Sequence, residues 1–297
     1  MAWQAFLNRW VQQQLRAKVM EQVAQGRQAT APSTGQAPAS AAVDASVDVG
    51  LVFALSIESG PLEDRLSAAI TTRGRGFTAR TGLVAGRTVA IVRAGVGSAR
   101  AWRATEALLV GHRPAWVISA GLAGGLQSDL RRGDIVMANA IQTLDGRRLA
   151  LDLKIPQQEL TARRGLHVGP LLAVDRVVVS GRSKAELGRR HACLAADMES
   201  WTVAEVCRLA KTPFLAVRVI SDTVDEDLPP EVGGLAQQKS TIGKLGAVTG
   251  ALWRRPGSAK DLWRMHGQAS SAAERLAKFL TGVIGQLPSQ KKTFPCE

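Results

Sequence analysis

Cysteine, histidine and aromatic residues are scarce in this chain, and tyrosine is absent: 297 residues hold three cysteines, four histidines, seven tryptophans and six phenylalanines. Cys193, Cys207 and Cys296 are scattered without the spacing of metal ligands, as are the histidines, so neither a disulfide framework nor a zinc site is expected. Cys193 and Cys207 flank the run Asp197-Met198-Glu199 and read as core-packing residues rather than nucleophiles. No Gly-Lys-Ser/Thr ending is present, which excludes a phosphate-binding P-loop, and no complete dinucleotide fingerprint occurs. Apolar runs of transmembrane length are missing, and the N-terminus has no apolar core with a cleavage site. These absences predict a cytoplasmic protein without metal or cofactor.

Acidic residues are also in deficit, 25 against 38 basic ones, for a formal charge of +13. The excess is distributed as arginine pairs, such as Arg131-Arg132 and Arg189-Arg190, with no interleaved aromatics to stack on bases. A nucleic-acid partner is therefore not expected; an anionic membrane surface or a solvated basic face suits the pattern better. An apolar content of 45% is ample for a folded core.

The chain opens with an amphipathic basic stretch, residues 1–25, in which Trp3, Phe6, Leu7, Trp10 and Val11 alternate with Arg9, Arg16 and Lys18. Such a helix can lie on a membrane, dock on a partner or pack on its own domain. Residues 26–48, rich in Ala, Ser, Gln, Pro and Gly, read as a flexible linker. From Val49 the texture becomes that of alternating strands and helices. Strands are predicted at 49–54, 88–92, 115–119, 134–138, 177–179 and 214–220, with helices at 62–70, 99–110 and 199–209. This pattern predicts an α/β fold, a three-layer α/β/α sandwich on a mixed, largely parallel sheet, over residues 49–230. Residues 231–297 read as a helical cap and tail, with helices at 243–254 and from 259 to about 282 around a Pro256-Gly257 break. Trp253, Trp263 and Leu280 sit there among Lys and Arg, a peripheral cap or a second membrane contact.

Two glycine-rich turns are expected after strands, Gly95-Val-Gly97 and Gly121-Leu-Ala-Gly124-Gly125, where bare backbone can approach a ligand. Three carboxylates stand at strand ends or helix starts: Glu58 in Ser56-Ile57-Glu58, Glu199, and Asp222 after the apolar run 214–220. In an open α/β sheet those positions face the ligand crevice. Three convergent carboxylates suit glycosidic hydrolysis: one protonates the leaving group, one activates water and one holds sugar hydroxyls. Helix and turn capping is the competing use of Glu58 and Asp222.

Taken in order, Ala54-Leu-Ser-Ile-Glu58, Ala94-Gly-Val-Gly97, Ile118-Ser-Ala-Gly-Leu-Ala-Gly-Gly125, Gly133-Asp-Ile-Val136, Asp197-Met-Glu199 and Val219-Ile-Ser-Asp222 resemble the nucleoside phosphorylase/nucleosidase superfamily, in particular the 5′-methylthioadenosine/S-adenosylhomocysteine nucleosidases. The resemblance implies hydrolysis of an adenine–ribose bond in a small-molecule nucleoside. It implies Asp222 as the acid at purine N7 with Ser221 steadying it, and Glu58 as the base for water. Met198 and Glu199 would hold the ribose, and Ala94 and Gly97 would line the site. Val177 and Val178 would flank the base where relatives carry an aromatic residue. It further implies a homodimer.

Related phosphorylases place an Arg just before the second glycine-rich segment; Ser119 stands there, which favours water over phosphate, while Arg93 and Arg100 keep phosphorolysis open. The tail beginning Asp227-Leu-Pro-Pro230 looks more like hopanoid-associated members that release adenine from adenosylhopane. A nucleoside-binding module without catalysis is the remaining alternative, and the retention of all three carboxylates argues against it.

Overall fold

Five consecutive buried residues, Val49–Phe53, form β1, the strand from which the two faces of the sheet are most easily told apart. A computed structural model describes residues 46–74, 77–151, 165–229 and 258–287. The N-terminal amphipathic stretch, nearly all of the linker, the helix expected over 243–254 and Cys296 lie outside the described residues. β1 runs parallel to both of its neighbours, β4 (Arg87–Arg93) and β5 (Trp116–Gly125). Successive side chains of a strand point to opposite faces. Val49, Leu51 and Phe53 accordingly enter one core cluster, while Val52 enters another with Ala101, Ala104 and Leu108 of α2 (Ser98–His112) and Val203 and Cys207 of α4 (Ser200–Leu209). Helices thus cover both faces, and the fold is the expected α/β sandwich on a mixed sheet.

The remaining elements are α1 (Ser56–Glu63), β2 (Ser67–Gly74), β3 (Phe77–Val84), β6 (Ile135–Thr143), β7 (Arg148–Ala150), β8 (Leu166–Ala173), α3 (Gly181–His191), β9 (Ala195–Asp197), β10 (Phe214–Asp222) and α5 (Ser258–Gln286). Strand order is β10-β6-β8-β9-β5-β1-β4-β3-β2, with β7 on β6. β10 also pairs with β5 in parallel, so β5, β10, β6, β8 and β9 close into a ring. The tail of the sheet, β4-β3-β2, is an antiparallel meander.

Several expectations are corrected. The helix read over 62–70 ends at Glu63, and Ile70 lies in β2, 66% exposed at the sheet's edge. β-branched Ile70, Thr71 and Thr72 favour extended backbone there. Residues 177–179 are not a strand; the strand is upstream, in Leu166–Ala173, where Gly169 and Pro170 conceal the pattern. Only the first glycine-rich segment is a turn, with φ of 81° at Gly95 and 102° at Gly97, values that suit glycine alone. The second, Gly121 to Gly125, is the continuation of β5, paired with β10 and β9.

α5, expected as a peripheral cap, is the inner wall of the main core. Ala272, Leu276, Ala277, Leu280, Val283 and Ile284 join the cluster of Leu51, Phe53, Ile118 and Val217. Leu276, Leu280 and Ile284 are each fully buried, a burial of about 1.5–3 kcal/mol per large side chain. The charged face, with Glu274 bonded to Arg65, is turned outward. No helix among the described residues is long and apolar enough to cross a membrane.

Leu276→Ala should lower unfolding free energy by about 2–5 kcal/mol in denaturant titration, while Lys278→Ala on the exposed face stays within about 0.5 kcal/mol. Equal, small effects at both positions would contradict the placement of α5 in the core.

Candidate active site

Glu58 is the third residue of α1 and its carboxylate is spent on three backbone donors. Oε2 accepts from Leu55 N at 2.7 Å and Ala54 N at 3.1 Å, and Oε1 from Leu122 N at 2.9 Å. The side chain reaches back over its own helix start, so capping and pocket-lining are performed by one residue. Gly121 makes this possible: a Cβ there would lie 2.8 Å from Oε1. Burial raises the proton affinity of Glu58 above the ordinary carboxylate value, against the opposing pull of the three N–H groups and the Arg218 charge.

Glu199 is the N-cap of α4, one residue before the helix proper, and accepts from Gly97 N at 2.8 Å. It lines the same pocket as Glu58, with Ala94, Ser119, Leu122 and Arg218. Burial, then repulsion from Asp197 and Glu58, pushes Glu199 up to about 7. Two carboxyl groups of raised proton affinity on one pocket are the kind of arrangement in which functional sites are sought.

The positive charge between them is Arg218, which sequence reasoning missed. It is 2% exposed in the middle of β10, opposite Gly121. Nε and Nη2 donate to Asp197 Oδ2 at 3.1 and 2.7 Å, Nη1 to the Ser119 and Val217 carbonyls at 2.9 Å each, and Nη2 also meets Ser119 Oγ at 2.7 Å and Ser200 Oγ at 2.8 Å. A guanidinium has five N–H donors, and protein acceptors occupy all of them. The signal was an arginine inside the otherwise apolar run 214–220, because charged side chains are almost never fully buried without a partner. Asp197, quoted only as part of a motif, is that partner; it also accepts from Glu199 N and Ser200 N, while its Oδ1 has no hydrogen-bond partner.

Asp222 lies outside this pocket, at the end of β10. Its neighbour on β5 is Gly124, after a register shift between Ile220 and Asp222 that makes Ser221 an extra residue. Bulges of this kind re-aim side chains next to active sites. Ser221 Oγ sits 2.6 Å from Asp222 Oδ1 and 3.2 Å from the Ala123 carbonyl. A Cβ on Gly124 would come within 3.2 Å of Oδ2. Gly121, beside Glu58, and Gly124, beside Asp222, are three residues apart, about 10 Å along a strand. Lys184 of α3, another residue sequence reasoning passed over, places its ammonium 2.5 Å from Asp222 Oδ2, out of line with hydrogen-bond geometry. It also donates to the carbonyls of Thr223 at 3.0 Å and Glu226 at 2.7 Å. Nothing in the sequence marked it among the Arg and Lys of that helix.

The other named residues fall as follows. Met198 and Val178 pack against a small apolar cluster of Leu126, Leu172, Val174, Cys193 and Ala196, and Val177 is half-buried beside them in sequence. Arg93 is paired with Glu63 at 3.4 Å. The Arg100 guanidinium lies along the Gly95 backbone. Among the described residues no group of three or more His, Cys, Asp or Glu side chains is placed to hold a metal ion.

A sequence profile of the Phosphorylase superfamily matches residues 48–244, and the chain belongs to that superfamily. A 5′-methylthioadenosine/S-adenosylhomocysteine nucleosidase of Shewanella pealeana is 27% identical over 203 residues, 61% of this chain and 88% of the relative. The crystal structure of a 5′-methylthioadenosine/S-adenosylhomocysteine nucleosidase from Neisseria meningitidis with methylthio-immucillin-A has a TM-score of 0.62 at 22% identity, covering 80% of this chain and 99% of that one. A Helicobacter pylori nucleosidase of the same type gives 0.63 at 17% identity, covering 80% and 98%. These structures share the fold.

Native Glu199 holds its proton up to about pH 7, whereas an unfolded glutamate releases it near 4.5. Between these values the native state binds more protons, so wild-type stability falls as pH rises. Glu199→Gln does not titrate. Its stability relative to wild type should therefore climb from pH 4.5 to 7 and level off about 3 kcal/mol higher; a flat difference in denaturant titrations would show that Glu199 is ionised throughout.

Arg218→Met should cost about 3–5 kcal/mol by leaving Asp197 buried and uncompensated. Adding Asp197→Asn should return part of that loss, a coupling of about 0.5–3 kcal/mol in a double-mutant cycle. Additive losses would break the argument.

Proposed function

We propose that this protein is a nucleosidase that hydrolyses the adenine–ribose bond of 5′-substituted adenine nucleosides. The observation that carries it is the pair of buried carboxyl groups, Glu58 and Glu199, on one pocket, with Asp222 held on a bulge at the end of β10. The superfamily membership and the nucleosidase relatives support the same reading.

In this reading Asp222, steadied by Ser221, protonates purine N7, and the C1′–N9 bond breaks toward the purine. Glu58, whose raised proton affinity makes it a stronger base than an ordinary carboxylate, takes the proton of the water that adds to C1′. Glu199, in its ionised form, accepts the ribose hydroxyls, and Met198, Ala94 and Gly97 close around the sugar. Val177 and Val178 give the base aliphatic walls. Water rather than phosphate fits the cation inventory: Ser119 replaces the expected phosphate arginine, and Arg218, the cation on the pocket, has every donor committed to the protein. Phosphorolysis is favoured by one observation, the Arg100 guanidinium beside the first glycine turn.

The proposal includes a homodimer, a cytoplasmic location and peripheral membrane contact through the basic Trp-bearing ends, which would suit a lipidic 5′ group such as that of adenosylhopane.

Adenine release from 5′-methylthioadenosine, S-adenosylhomocysteine and adenosylhopane in detergent should proceed equally with and without phosphate, yielding a free sugar. A phosphate requirement and a sugar phosphate would establish the phosphorylase. Asp222→Asn and Glu58→Gln should each lower kcat by about 10²–10⁴-fold. Glu199→Gln should chiefly raise KM, by about 10–100-fold for one lost charge-assisted hydrogen bond. Near-full turnover in Asp222→Asn would refute the acid assignment.

A further inference from the structure

Lys184 has no solvent-exposed surface, and an ammonium buried that completely is stable only with strong partners. Two of its partners are backbone carbonyls, those of Thr223 and Glu226, and they would suffice for a strut that braces the turn after β10. The third is the Asp222 carboxylate, 2.5 Å away and itself only 5% exposed. A brace does not require that contact, and a lone acid catalyst is not helped by a fixed positive charge. The two groups together are electrically neutral and hold one transferable proton between them, whichever atom carries it.

We infer that Lys184 supplies the proton that Asp222 delivers, so that the acid of this site is a lysine–aspartate pair rather than a single carboxyl. The inference rests on the reading of Asp222 as the acid at N7 and assigns that residue its proton source. Lys184 acts through Asp222 and does not touch the base, so it is a positioning and proton-supplying residue.

The step balances as follows. A proton moves from Lys184 Nζ to Asp222, leaving a neutral amine. The carboxyl proton passes to purine N7 as the C1′–N9 bond breaks and its electron pair enters the purine ring. Water adds to C1′ and loses one proton through Glu58 to solvent, and the amine regains one proton from solvent. One water is consumed and no net proton is made.

Among the described residues, the charged groups near the pair include Glu226, Asp227 and Asp225 on the turn after β10, Arg182 on α3, and Arg132 before β6. On the turn after β10, Glu226 is bonded through both oxygens to Arg132 at 2.7 Å and also receives Thr223 N at 2.8 Å, and Arg132 Nη1 donates to the Ser221 carbonyl. Asp227 accepts from Gly181 N at 2.7 Å, at the start of α3. Asp225 on the turn and Arg182 on α3 are exposed. Each of the bonded groups has its own partner, and Lys184 is the cation that meets Asp222.

The consequence is a pH profile. A lone aspartic acid is emptied of its proton above about pH 4, so an acid resupplied by an amine differs from it in whether delivery continues above that pH. Arginine separates the two roles of Lys184, because it can hold the ion pair but does not give up its proton.

The test measures kcat and KM for adenine release from pH 5 to 9 in wild type, Lys184→Met and Lys184→Arg, with thermal melting and adenine binding as controls. In wild type, which needs no substitution to fold, kcat should hold level from about pH 7, where Glu199 becomes ionised, to about pH 8. A descent complete by about pH 6 overturns the inference. At neutral pH both variants should lose about 10²-fold or more in kcat, with KM and adenine affinity within about threefold. In Lys184→Met, kcat should rise as pH falls, because Asp222 must then take its proton from solvent. A Lys184→Arg enzyme with kcat within about threefold of wild type would reduce Lys184 to a brace. An inactive wild type refutes the nucleosidase reading itself, whereas an active wild type beside an active Lys184→Arg refutes only the proton source.

Discussion

A single guanidinium buried in the middle of β10 is the interaction on which the site depends. Arg218 meets Asp197 at the end of β9, Ser119 in β5 and Ser200 at the start of α4. Those elements bring together the strand end that carries Glu199, the strand against which Glu58 leans, and the helix that Glu199 caps. A charge buried so deeply is costly unless its donors are all met, so the geometry of its acceptors is narrowly constrained. The same charge lowers the proton affinity of both Glu58 and Glu199, yet burial still wins at each. The site therefore holds Glu199 poised near neutrality and Glu58 above the ordinary carboxylate value, with a cation moderating what burial does at each.

Two clamps of opposite chemistry stand about 10 Å apart along β5. At Gly121 the arrangement is a carboxylate held by backbone N–H groups, with an arginine that cannot give up its charge nearby. At Gly124 it is a carboxylate held by a hydroxyl and a lysine ammonium. Both rely on the missing Cβ of a glycine in a strand, where glycine ordinarily weakens pairing. The sequence motif Gly-Leu-Ala-Gly-Gly is thus a spacing device for two side chains contributed by other elements, rather than a loop that wraps a ligand itself.

Much of this was legible before any coordinates. Glu58, Glu199 and Asp222 stand out as acids at strand ends and helix starts that interrupt apolar runs, and β1, β4, α2, α4 and β10 emerge from hydrophobic patterning within a few residues, whereas β5 runs six residues beyond its expected end. What stayed hidden shares a physical cause. β8 is disguised by Gly169 and Pro170, and β2 by alanines and an exposed Ile70 at a sheet edge. Lys184 carries the same charge as the solvated Arg182, Arg189 and Arg190 of its helix and is set apart from them only when α3 is packed. Arg218 was visible as an anomaly, a charge in an apolar strand, but only its partner Asp197, 21 residues earlier, gives it meaning.

The position of α5 has a consequence for how the protein is made. Its apolar side completes the cluster that begins with β1, yet it is synthesised after every strand it covers. At about 5–20 residues per second, a ribosome leaves that side of the emerging sheet uncovered for several seconds. During that interval Leu51, Phe53, Ile118 and Val217 form an apolar face without its wall, the kind of surface that chaperones shield and that aggregates otherwise. Closure of this core therefore waits for α5, the last described helix.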